Sequence, residues 1–340
     1  MTLWNGINMI SETNVEKIEI ANIFNHYILA QTIHALDDIG VFNKLNEGLK
    51  SIEQLSSKEV CNNKLSYLLY IVARYDFIKT NNDLYFLTAK GKQLIFNLGF
   101  FNWAIGGYGK LFNSINKIVK GEDISWKELR NCIWVAKASD QCNQSLMKQI
   151  VFNILDEIPF RYIADIGCGN AGRLIDICHR YHSVSGLGID IDMPSIELAL
   201  NNVSCNNLSH RIQIEKANIL SNFLQESAIK IKNHIDLVTC FMMLHDLLNA
   251  YDADHVFIHI KKVFPNAKYF LFADTTKEES IDKPESIFSL GFETVHQMMD
   301  IKLFSKQHYI ECFLHNGFII KECYNLQVPN TYAFLLERAD

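Results

Sequence analysis

The chain has 340 residues, 49% of them hydrophobic and 21% charged, with a formal net charge of −6. That is ample apolar material for two ordinary domains, and the acidic balance leaves no electrostatic footprint for nucleic acid or an anionic membrane. No apolar run reaches bilayer-spanning length, no basic-then-apolar leader is visible, and the nine cysteines are scattered without a C-x-x-C pair, so we expect reduced thiols in a cytoplasmic protein.

Val15 to Leu45 places Ile18, Ile20, Ile23, Ile28, Leu29 and Ile33 at helical spacing. Ser51 opens a short capped helix, and Lys64 to Tyr75 forms another. Phe77 to Thr88 then reads as two strands around an Asn-Asn-Asp turn. Helices followed by such a hairpin suggest a winged helix. Residues 1–100 hold about nine basic and about ten acidic side chains, too balanced for a DNA reader. A long apolar helix burying one face against a second copy makes homodimerisation the better use of this domain. An aromatic, glycine-rich segment from Phe101 to Gly109 follows, with helices expected at Leu111–Val119 and from about Ser139 to Leu155.

From Arg161 onward, apolar runs and helical patterns alternate. Strands are expected near 162–166, 185–190, 211–215, 235–241, 268–273, 317–322 and 331–337, the last two as a closing antiparallel hairpin. The pattern predicts an α/β fold, a Rossmann-like doubly wound sheet behind an N-terminal helical winged-helix domain. We place the domains at 1–137, for dimerisation and a substrate lid, and at 138–340, for cofactor binding.

The first predicted strand of the sheet runs into Asp165-Ile166-Gly167-Cys168-Gly169-Asn170-Ala171-Gly172. Gly167 and Gly169 allow a sharp turn and close backbone approach to a ligand. Asp190 ends the next strand about twenty residues on, where an acid accepts hydrogen bonds from ribose hydroxyls. The glycines alone also fit nicotinamide enzymes, or a packing turn with no ligand. Asp165 separates these readings: a carboxylate there repels a pyrophosphate but favours the sulfonium and ammonium of S-adenosylmethionine. Cys168 reads as a small filler within the turn.

Further candidates fall at the carboxyl ends of later strands, where ligands sit in open α/β sheets. Asn218 and Ile219 follow the third strand, Asn218 facing an adenine edge, or serving as a plain turn residue. Phe241 and Met242 end the fourth and are candidates to wall the adenine or the methyl group. Leu244-His245-Asp246 lies just beyond. His245 is a candidate base or ligand, and Asp246 either joins it or caps the next helix.

The Asp-Ile-Gly-Cys-Gly turn closely resembles motif I of class I methyltransferases. With the winged-helix start and Leu244-His245-Asp246, nearly the whole chain resembles small-molecule O-methyltransferases, in which this histidine is the general base. The Gly106-Gly107-Tyr108-Gly109 segment adds a resemblance to the α-keto acid C-methyltransferases, which act on phenylpyruvate, 2-ketoarginine, indolepyruvate and similar substrates. That resemblance implies a metal, iron or zinc, held by His245 and by His296 in Phe292-Glu293-Thr294-Val295-His296. It also implies that Trp103 and Arg130 line a 2-oxo acid pocket. The expected chemistry is methylation at C3 through a metal-stabilised enolate, with metal-bound water or Asp246 removing the proton, in secondary metabolism or modified amino acid biosynthesis. Metal-independent O-methylation with His245 as base is the alternative, and a winged-helix regulator that merely binds S-adenosylmethionine is a further one.

Overall fold

The computed structural model describes residues 14–221, 230–277 and 286–339; the side chains of residues 14–18 and of residue 230 are outside the description, including that of Ile18. Contacts divide the chain into two compact units, Met1–Phe101 and Asn102–Asp340. Residues 102–137, grouped with the helical domain from sequence, fall in the second unit by contacts.

The first unit is built from helices and a small hairpin. The long helix expected from Val15 to Leu45 is two: Asn14–Asp38 and Val41–Asn46, broken where Gly40 turns left-handed at φ 76°. Ser51 caps the helix Ile52–Leu55 in a full capping box with Gln54. After the helix Asn62–Arg74, strands β1 (Ile78–Asn81) and β2 (Leu84–Leu87) pair antiparallel, and Lys50 bridges to Tyr85 on the outer edge of β2. Leu29, Ile33, Leu36, Phe42, Leu65, Leu69 and Ile78 form the core of the unit. The opposite face of the first helix exposes Ile20, Ile23, Phe24 and Tyr27, a stripe at i, i+3, i+4 and i+7.

The second unit holds a seven-stranded sheet. Its strands are β3 (Tyr162–Ile166), β4 (Ser185–Asp190), β5 (Ile212–Lys216), β6 (Leu237–Phe241), β7 (Tyr269–Thr275), β8 (Phe318–Asn325) and β9 (Thr331–Arg338). They lie in the order β5-β4-β3-β6-β7-β9-β8. The first five run parallel, and β9 enters antiparallel between β7 and β8. The strand order reverses at β3, so β3, β4 and β6 open a crevice at their carboxyl ends. Every residue of β6 is buried, as expected of a strand covered on both faces. One side of the sheet is filled by aromatic rings, among them Phe257, Phe270, Phe272, Phe313, Phe318 and Phe334.

Two predicted helices are less regular than their patterns suggest. Leu111–Val119 divides into Gly109–Phe112 and Ile115–Val119. The helix expected from Ser139 starts earlier, at Cys132, and passes through a wide turn at Asn143–Met147 before ending at Leu155. A second wide turn, Asn102–Gly107, occupies the aromatic, glycine-rich segment. Such π-type turns widen a helix locally and re-aim its side chains.

Candidate active site

The glycine turn is held from the neighbouring strand. Gly167 N–H and Cys168 N–H both donate to the Ile189 carbonyl, at 2.8 and 3.0 Å. Gly167 has φ 71°, a left-handed conformation that favours glycine, and a Cβ there would also displace the Met243 thioether. Cys168 is buried against Gly188, and burial pushes its thiol well above the ordinary range, which suits a filler and not a nucleophile.

Asp190 closes the turn. One carboxylate oxygen accepts from Gly169 N–H at 2.9 Å and the other from Asp192 N–H at 2.9 Å. Asp165 lies almost wholly buried at the end of β3 and accepts from Thr239 Oγ1 at 2.6 Å. Burial raises its pKa, and the Arg173 guanidinium, 3.5 Å away, opposes that shift. The Arg173 guanidinium carbon also lies over the Phe241 ring, 3.7 Å from its centroid. A cation of the chain itself therefore already faces Asp165, which the sequence argument did not foresee.

The remaining crevice residues take distinct places. Asn218 is exposed, and its side-chain oxygen accepts from Leu220 N–H, a turn-forming bond that leaves its amide nitrogen for a ligand. Ile219 and Phe241 are buried. Met242 has φ 56°, and its N–H bonds the Ala273 carbonyl. This left-handed residue redirects the chain from β6 into the helix Leu244–Ala250.

That redirection places His245 at 3% exposure beside β7. Its backbone N–H and its Nδ1 both point at the Asp274 carboxylate, at 2.7 and 2.8 Å. Asp274 also accepts from Thr275 N–H and Tyr309 Oη. Because an ionised carboxylate only accepts, Nδ1 of His245 carries the proton and Nε2 faces the crevice. His296, on the helix Ser289–Met298, has Nδ1 at 2.7 Å from the Phe292 carbonyl, which fixes the same tautomer. The two Nε2 atoms are 3.1 Å apart.

Two neutral imidazoles in these tautomers present lone pair to lone pair, so a proton or another cation must lie between them. For the bare protein the proton belongs to His245. Burial lowers its pKa, but the Asp274 charge and hydrogen bond outweigh that and hold it above the ordinary value. His296, buried and facing that charge, falls to about 3. The arrangement also suits a metal ion. Each imidazole anchors its outer N–H on a carboxylate or a backbone carbonyl, as metal-binding histidines do. The 3.1 Å separation is close to the spacing of adjacent ligands at about 2.0–2.1 Å from one ion. Among the described residues no group of three or more His, Cys, Asp or Glu side chains is gathered as a ligand set, so further ligands would come from substrate or water.

Asp246 stands 3.7 Å from His245 Nε2, with its side chain 37% exposed. Arg130 is half-buried, and its Nε is buried without a hydrogen-bond partner among the described residues, in the field of Tyr108, Asp246 and Asp190. Trp103 packs against Tyr108, Phe288 and Phe292, and Phe292 touches both imidazole rings. Sequence reasoning missed Asp274, Tyr309 and Arg173. Asp274 carried a usable signal, an acid at the carboxyl end of a predicted strand. Arg173 and Tyr309 carried none.

A family model of a methyltransferase domain matches residues 162–316. The chain is 26% identical over 337 residues to an indolepyruvate C-methyltransferase of Streptomyces griseus, covering 97% of this chain and 98% of that one. It is 23% identical over 176 residues to a 2-ketoarginine methyltransferase of Streptomyces arginensis, covering 51% of each. Human N-acetylserotonin methyltransferase, solved with S-adenosylmethionine, has the same fold, with a TM-score of 0.68 at 14% identity over 97% of this chain and 99% of that one. A mitomycin 7-O-methyltransferase gives 0.63 at 15% identity, over 96% and 98%. From the sheet order, the acid-glycine turn and these similarities, we conclude that the chain is an S-adenosylmethionine-dependent methyltransferase with the fold of the class I enzymes, similar in sequence to an indolepyruvate C-methyltransferase.

Proposed function

We propose that this enzyme methylates C3 of a 2-oxo acid and that His245 and His296 hold a metal ion, iron or zinc, for the purpose. The observation that carries the proposal is the pair of facing Nε2 atoms, 3.1 Å apart, with both Nδ1 protons locked outward. The relatives named for indolepyruvate and 2-ketoarginine support the substrate class.

A 2-oxo acid loses its C3 proton readily only when the charge developing on the 2-oxo oxygen is stabilised. When bound, the metal supplies Lewis acidity at that oxygen. Asp274 keeps both His245 N–H groups directed away from the crevice, so Nε2 stays available. Arg130, half-buried and with a buried Nε that has no partner among the described residues, pairs with the substrate carboxylate. Asp246, partly open to solvent beside His245, takes the C3 proton on a carboxylate oxygen. Trp103 and Phe292 wall the pocket and exclude water. Asp165, Gly167, Gly169, Asp190, Asn218, Ile219, Phe241 and Met242 line the cofactor crevice and align the methyl donor with C3.

The exposed stripe Ile20, Ile23, Phe24 and Tyr27 covers a second copy of the chain in a homodimer. None of the described helices is long and apolar enough to cross a membrane, and we place the enzyme in the cytoplasm. The test is incubation with S-adenosylmethionine, ferrous iron and a panel of 2-oxo acids, with the methyl position read by NMR. A new C3–CH₃ resonance supports the proposal, and methylation on oxygen overturns it. Oxygen methylation with His245 as base is the second reading, favoured by the Asp274–His245 pair on its own. It assigns His296 no task, so His296→Ala then leaves turnover nearly intact.

A further inference from the structure

His245 and His296 sit on separate helices, Leu244–Ala250 and Ser289–Met298, yet their Nε2 atoms are 3.1 Å apart. The Asp274 carboxylate fixes how the first ring is turned, and the Phe292 carbonyl fixes the second. Neither bond joins one helix to the other, so neither sets the spacing of the rings. Facing nitrogen lone pairs repel once the proton or cation between them leaves, and the spacing then needs a tie of its own.

Asn249 lies one turn after His245 on the same helix. Its amide nitrogen donates to the His245 carbonyl and to the Lys302 carbonyl, each at 2.8 Å, and its oxygen accepts from Lys302 N–H at 2.8 Å. The orientation of the amide is settled by these partners, since a flipped group would set its NH₂ against an N–H and its oxygen against two carbonyls. Lys302 is fixed in turn to the His296 helix, which ends in a Schellman turn. Asp300 is left-handed at φ 55°, its N–H donates to the Gln297 carbonyl at 3.3 Å, and Ile301 N–H donates to the His296 carbonyl at 2.9 Å. A path of hydrogen bonds therefore runs from the His245 carbonyl through the Asn249 amide to Lys302, and from the adjoining Ile301 to the His296 carbonyl. Both of its ends are backbone atoms of the two site histidines.

We propose that Asn249 is a positioning residue of the imidazole pair, tying the two helices together and setting the distance between the Nε2 atoms. The inference rests on the reading of that pair as the reacting centre, and it adds a residue on which the methylation chemistry itself does not call. Asn249 and Lys302 are both exposed, and an exposed amide is satisfied by water at no cost. Using its NH₂ and its oxygen on backbone partners instead, two of them 53 positions away, makes it a fixed strut.

The test uses the full-length protein with Asn249→Ala, which removes all three bonds, and Asn249→Asp, which keeps the acceptor for Lys302 N–H but loses both donated bonds. In metal-free protein labelled with ¹⁵N at histidine, the proton held between the two Nε2 atoms should give a hydrogen-bonded resonance that His296→Ala abolishes. Both Asn249 variants should lose it, while the His245 Nδ1–H resonance on Asp274 persists. Co²⁺ alone, followed by its visible absorption, should bind both variants about 10- to 100-fold more weakly, the usual effect of losing a group that orients metal ligands. S-adenosylhomocysteine affinity should stay within about twofold, since the cofactor crevice keeps its own hydrogen bonds. An Nε2 resonance unchanged in both variants overturns the proposal, as does its absence from the unaltered protein. A loss of unfolding free energy with Co²⁺ affinity unchanged also overturns it, because that marks a merely structural side chain. If the unaltered protein fails to bind Co²⁺, the metal reading falls, and the resonance still decides the role of Asn249.

Discussion

Replacing Asp274 with Asn probes the site with almost no change of volume. The carboxylate accepts from four donors: His245 N–H, His245 Nδ1–H, Thr275 N–H and Tyr309 O–H. An amide keeps one oxygen and turns its NH₂ toward at least one of these donors. Two charge-assisted bonds are lost, at about 1.5–3 kcal/mol each, and relaxation recovers part of that. We take about 3 kcal/mol as the net effect, which is roughly a hundredfold in rate if it falls on the orientation of His245. Affinity for S-adenosylhomocysteine should hold, because Asp165, Asp190 and the glycine turn keep their own partners. The assay is initial methyl-transfer rate beside calorimetry with S-adenosylhomocysteine. A rate within threefold of the unaltered enzyme refutes the reasoning, and so does a parallel loss of cofactor affinity, which marks general damage. Tyr309→Phe removes one donor only and is expected to cost less than tenfold.

His296→Ala should abolish C3 methylation and lower bound iron or zinc, measured by elemental analysis after dialysis against the metal; unchanged metal content contradicts the two-imidazole site. Gly167→Ala places a side chain at φ 71° against Met243 and should cost at least about 1–2 kcal/mol in denaturant unfolding; a neutral result contradicts the strain argument. Asp190→Asn leaves one of two backbone N–H groups unmatched and should weaken S-adenosylhomocysteine binding by roughly tenfold or more in calorimetry. Ile23→Asp, at a position 74% exposed in the chain alone, should convert a dimer to monomer in sedimentation velocity, and a monomeric unaltered protein refutes the dimer.

The sheet was legible because its strands are buried on both faces and therefore read as unbroken apolar runs, as in Leu237–Phe241. The turn at Asp165 was legible because positive φ and close packing both demand glycine at fixed offsets from the strand. Boundaries set by one residue were harder. Gly40 ends a helix whose apolar spacing continues past it into Val41–Asn46. The π-type turns at 102–107 and 143–147 have no period of their own and vanish within helical patterns.

The site divides the same way. His245 and Asp190 were found by position, at the ends of strands. Asp274 obeys the same rule but directly follows the apolar run Phe270-Leu271-Phe272-Ala273, which reads as plain core. Arg173 follows the turn by one residue in sequence, yet its guanidinium folds back over Phe241 and Asp165. A reading of Asp165 alone took it for an unopposed carboxylate. The meeting of His245 with His296 depends on tertiary packing of two helices fifty-one positions apart, and no spacing rule encodes it.

The account turns on a pair of imidazoles that makes C3 of a 2-oxo acid acidic before any methyl group moves. Proton–deuterium exchange at C3 measures that step alone, with S-adenosylhomocysteine filling the cofactor site in deuterated buffer. The account predicts exchange that requires added metal, stops on chelation, and is lost in His296→Ala. Exchange that persists in the metal-free enzyme, or its absence with every 2-oxo acid that the enzyme methylates, would contradict it.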